Sequence, residues 1–97
     1  MSNAKSNART FDAKSRKKMV AIVTRPRDAR KAAGVNQTTF WTLFGATQSG
    51  GSRYETGRAI PGPMQLLMAL YAAGKLTDED ILGAQQALGD IFKASAE

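Results

Sequence analysis

Gly34, Gly45, Gly57 and Gly74 each close a short stretch of helix-compatible sequence. A glycine just past the last helical residue is the commonest way for a chain to leave a helix. The segment between Thr24 and Gly74 is therefore cut into brief helices joined by tight turns. Helices this short do not persist alone in water, so their small apolar faces must pack against one another. The longest uninterrupted apolar run is far shorter than a membrane span, so no membrane-spanning helix is expected. The chain also contains no Cys and no His. That removes disulfide scaffolds, thiol nucleophiles, zinc fingers and sites built on imidazole. No catalytic residues, metal site or cofactor is expected, and no small-molecule ligand.

Read in order, Pro26 suits an early helical position, and Ala29, Ala32 and Ala33 form a small apolar face. Asn36 is placed to cap Gln37–Phe44, in which Phe40, Leu43 and Phe44 fall at helical spacing. Thr47 is placed to cap Gln48–Thr56. Ile60-Pro61-Gly62-Pro63 is a rigid connector, followed by an amphipathic helix carrying Met64, Leu67, Leu70 and Tyr71. Thr77-x-x-Asp80 reads as a capping box opening a last helix with Ile81, Leu82, Ala84, Leu88 and Ile91 facing inward. The β-branched run Lys18–Thr24 fits either a short strand or a first helical turn. The expectation is an all-α domain of about five short helices, with a short N-terminal β-strand as an option. Residues 1–17 read as a basic disordered arm, 18–92 as the folded domain and 93–97 as a tail.

Charge adds a partner. The formal net charge is +6, and it is unevenly placed. Residues 1–31 carry ten Lys and Arg against two acids, whereas residues 32–97 carry four against six. A basic arm joined to a compact domain is suited to a polyanion such as double-stranded DNA. The expected location is the cytoplasm, at the nucleoid, with no membrane partner.

Two short helices joined by a turn at Gly45 describe a helix-turn-helix, with the motif at about 37–57. The ordered set Arg30, Gly34-Val35-Asn36-Gln37, Phe40, Phe44-Gly45, Thr47-Gln48-Ser49, Ser52-Arg53-Tyr54-Glu55 and Gly57-Arg58 resembles the phage repressor and Cro family. This is the lambda-repressor-like or XRE group, and the likeness covers about residues 25–74. Independently of that resemblance, Gln48 and Ser49 fall in the first turn of the second motif helix, which enters a major groove first. Arg53 lies one turn on along the same face, with Ser52 close by. Gln can address adenine with two hydrogen bonds, and Arg can grip guanine. The resemblance implies base contacts from Gln48, Ser49, Ser52 and Arg53, and backbone contacts from Gln37, Thr56 and Arg58. Thr47, at the cap, joins the phosphate-contacting set. It also implies a structural ion pair between Arg30 and Glu55 that tethers the recognition helix.

The chain departs from the family pattern at two positions that should face each other. Trp41 stands where a small Ala is usual, and Gly51 where a β-branched residue is usual. Volume compensation accounts for both, with the indole filling the space left at Gly51. The rival reading exposes Trp41 to DNA or a partner. Gly50-Gly51 lowers helix propensity, and Gly50 would let the backbone approach a groove closely.

The resulting expectation is a transcriptional regulator, a repressor binding a palindromic operator as a homodimer. The dimer surface is expected on the last helix or on Met19–Val23 paired as a strand with its twin. The alternatives are the DNA-binding antitoxin of a toxin–antitoxin pair, with a toxin as protein partner, and a protein-interaction module using the motif as a scaffold. A third alternative is non-specific coating of nucleic acid by the arm.

Overall fold

A computed structural model describes the backbone of residues 11–95 and side chains as far as Gly89. The described residues form six helices: α1 (Ala13–Thr24), α2 (Pro26–Ala32), α3 (Gln37–Leu43), α4 (Gln48–Glu55), α5 (Gly62–Ala72) and α6 (Asp78–Ser95). Among the described residues there is no strand, and none of their helices is long and apolar enough to cross a membrane.

The extra helix comes from the segment left open between strand and helix. Met19, Ile22 and Val23 recur at helical spacing, with Ile22 buried and the other two half-buried. That face lies along α5. A strand would have thrown Ile22 and Val23 to opposite sides, so tertiary packing overrides the β preference of the run. The strand-paired dimer expected at Met19–Val23 is thereby excluded. Residues 13–17, expected within the arm, are helical and open α1. Asp12 makes this start by accepting a hydrogen bond from the Ser15 N–H at 2.8 Å. That bond holds its carboxyl below the ordinary range. Residues 1–10 lie outside the described region.

The helix boundaries follow local chemistry. Pro26 opens α2 at its first position, where the missing N–H costs no hydrogen bond. The Asn36 carboxamide oxygen accepts from the Thr39 N–H at 2.8 Å, and Thr47 Oγ1 from the Gly50 N–H at 3.0 Å. Gly45, at φ 87°, makes the turn between α3 and α4 in a conformation that a Cβ would penalise. At α6 the capping box is reciprocal, with Thr77 N–H donating to Asp80 Oδ2 and Asp80 N–H to Thr77 Oγ1.

The core gathers Ile22, Phe40, Trp41, Phe44, Ala46, Ile60, Met68 and Ile81, with Trp41 and Met68 fully enclosed. Met64, Leu67 and Tyr71 pack against it, but Leu70 is exposed. Of Ala29, Ala32 and Ala33, only Ala29 reaches the core; the other two are exposed. The larger correction concerns α6. Ile81 is buried as expected, yet Ala84 is exposed and Leu82 and Leu88 are 52% and 50% exposed. The helix rests at the edge of the domain against α3, so one stripe suffices to seat it. Gln85 fastens it there by donating to the Thr42 and Leu43 carbonyls at 2.9 and 2.8 Å. Those carbonyls end α3, and that of Thr42 also accepts from the Gly45 N–H at 3.1 Å. Gly89 breaks α6 at φ 51°; Ile91, expected to face inward, lies beyond the described side chains, and the backbone is helical as far as Ser95, into the expected tail.

Candidate nucleic-acid interface

α3 and α4 form the two arms of a helix-turn-helix, and α4 is held by its inner face. Gly50 and Gly51 are both buried there. A Cβ on Gly51 would fall 2.2 Å from Trp41 Cγ and 2.3 Å from Cδ1. Only glycine admits the indole at this crossing. Trp41 is fully buried, so the reading that exposed it to DNA or a partner is excluded. Gly50 is turned inward as well. Burial on the protein side removes it from the edge that would meet a groove.

The indole also carries a polar duty. A buried Trp needs an acceptor for its N–H, and Trp41 Nε1 donates to Glu55 Oε2 at 2.8 Å. Glu55 ends α4, where the helix dipole disfavours a carboxylate. Its side chain is wholly enclosed, so its charge must be matched. Arg30 does this as a two-pronged donor, Nε to Oε2 at 2.8 Å and Nη2 to Oε1 at 3.0 Å. Gln37 Nε2 adds a bond to Oε1 at 3.1 Å, and Arg27 Nε a long one at 3.5 Å. Hydrogen bonding to Arg30, reinforced by Trp41 and Gln37, outweighs burial and brings the Glu55 carboxyl down to about 2. The same interaction raises Arg30.

The cluster continues outward through Gln37. Its carbonyl oxygen accepts from Gln48 Nε2 at 3.2 Å, which leaves the Gln48 oxygen and second amide hydrogen uncommitted among the described residues. Gln48, Ser49 and Arg53 are exposed together on α4, and Ser52 is half-buried beside them. Arg58 is exposed beyond the helix. Thr47 uses its oxygen in the cap but keeps its hydroxyl hydrogen free to donate. Thr56 is different, because its hydroxyl lies within reach of the Ser52 and Arg53 carbonyls at 3.0 and 3.2 Å. Its single hydrogen is committed to the helix end.

Arg27 and the Trp41–Glu55 bond were missed in the sequence although signals existed. Arg27 precedes Arg30 by one helical turn and so shares its face. A buried indole predicted some acceptor nearby, and Glu55 is the acid of the motif. Among the described residues no cluster of potential metal ligands occurs.

Residues 27–71 match the family model described as the RsaL-like HTH domain. No curated protein and no solved structure matches the chain. The matched region runs from the arginines on Glu55 through both motif helices and almost all of α5. The match supports a helix-turn-helix DNA-binding domain over those residues, a wider class than the Cro and lambda-repressor-like group.

Proposed function

We propose that this helix-turn-helix protein is a sequence-specific regulator of transcription, a repressor of the Cro-like kind that binds a palindromic operator as a homodimer. The observation that carries the reading is the contrast between the two sides of α4. One side is fastened through Gly51 and Glu55, while the other offers Gln48, Ser49 and Arg53 to solvent.

In this account α4 enters the major groove by its N-terminal end. Gln48, held by Gln37, addresses adenine through its free oxygen and second hydrogen. Arg53 reaches guanine one turn further on, and Ser49 and Ser52 complete the edge. Gln37, Thr47 and Arg58 grip phosphates, and Thr56 joins them only by releasing the carbonyls it now bonds. One α4 reads about four base pairs, so specificity requires a second copy on a two-fold site. Leu82 and Leu88, half-exposed on α6, supply an apolar surface for that copy.

The test is competition. Labelled duplex recovered by selection from a random pool should stay bound under a large excess of random duplex. Equal displacement by random and selected DNA would reduce the function to charge-driven coating.

A further inference from the structure

Resting on the DNA-binding reading above, we infer that Arg27 is a further phosphate-contacting residue, held in reserve beside the recognition helix by a carboxylate that does not need it. Glu55 is already satisfied without Arg27. Arg30 engages both carboxylate oxygens, Trp41 occupies Oε2 and Gln37 occupies Oε1. The Arg30 side chain is 12% exposed and belongs to the buried site, but that of Arg27 is 51% exposed. Arg27 makes one hydrogen bond among the described residues, at 3.5 Å, the outer limit of such a contact. Two guanidiniums on one carboxylate leave this corner with a surplus positive charge. That surplus resides on the more exposed of the two.

Its position aims the surplus at DNA. Arg27 Nε and Gln37 Nε2 share the same oxygen of Glu55, at 3.5 and 3.1 Å. Gln37 in turn holds Gln48. An exposed guanidinium therefore lies beside the two glutamines that border the groove-facing edge of α4. A half-exposed ion pair at this distance holds its partner weakly. Exchanging a shared carboxylate oxygen for a phosphate gives Arg27 an acceptor of its own and a two-pronged geometry.

The experiment measures binding of the full chain to a short random-sequence duplex over a series of salt concentrations, for the wild type, Arg27→Ala and Arg27→Lys. Arg27→Ala should reduce the slope of log K against log salt by about 0.9, one phosphate contact. Its thermal midpoint should match the wild type, because Arg30 still neutralises Glu55. Arg27→Lys should keep the slope, since an ammonium also neutralises a phosphate. An unchanged slope in Arg27→Ala overturns the inference, and so does a loss of stability comparable to that of Arg30→Ala. Wild-type protein that binds no duplex at low salt overturns the DNA-binding reading itself, a result distinguishable from either.

Discussion

Trp41 and Gly51 occupy one volume: a Cβ on Gly51 would stand 2.2 Å from the indole Cγ, inside any permitted contact. The same indole donates to Glu55 Oε2 at 2.8 Å. Packing and polar satisfaction at the base of α4 thus converge on one side chain.

Gly51→Ala should destabilise the fold although alanine is the better helix former. In an exposed helix the change would stabilise by about 1 kcal/mol. Here the new methyl meets the root of a fully buried ring that cannot swing away, and overpacking of this kind costs about 1–3 kcal/mol. Thermal or denaturant unfolding should show net destabilisation.

Trp41→Ala should cost about 3–5 kcal/mol as a large cavity opens, and should also leave Glu55 short of one donor. Adding Gly51→Val refills part of the space. The double variant should be more stable than Trp41→Ala alone, a coupling that a double-mutant cycle reads directly.

The arrangement at Glu55 makes stability depend on acid. Its carboxyl lies at about 2 in the folded state, against 4.5 ordinarily. A lowered carboxyl contributes stability that is complete above about 4.5 and is lost as pH falls toward 2. The difference corresponds to about 3 kcal/mol. Denaturant midpoints should drop over that window, and Glu55→Gln should flatten this part of the profile.

Removing the strong cation leaves a buried charge without its partner. Arg30→Ala should therefore cost about 3–5 kcal/mol at neutral pH. The penalty should shrink in acid, where Glu55 becomes protonated, and unfolding curves at neutral and low pH compare the two.

Much of this was legible in the sequence because local chemistry determined it. Asn36, Thr47 and the Thr77–Asp80 pair mark helix starts whose hydrogen bonds are local. Gly45 marks a turn for a reason intrinsic to glycine. The exchange of volume between Trp41 and Gly51 was readable from two departures at facing positions. What was not legible depended on tertiary placement. The Met19–Val23 run has strand-like composition, and only its packing along α5 selects the helix. Leu82 and Leu88 follow an inward-facing pattern, but α6 lies at the domain edge, where nothing described covers them. Arg30 was expected on Glu55 from the family resemblance, but the Gln37 and Trp41 donors come from α3 and depend on how it packs against α4. At the site, the Thr56 hydroxyl bonds the Ser52 and Arg53 carbonyls, a helix-end role that residue type alone does not reveal.

The central claim is that the exposed edge of α4 reads base sequence, with Gln48 addressing adenine. Selection from a random duplex pool, run in parallel with wild type and Gln48→Ala, tests it most directly. The wild type should select a two-fold symmetric motif, and the variant should lose preference at one symmetric pair of A·T positions. A wild-type pool that emerges unenriched, or an identical motif from both proteins, would contradict it.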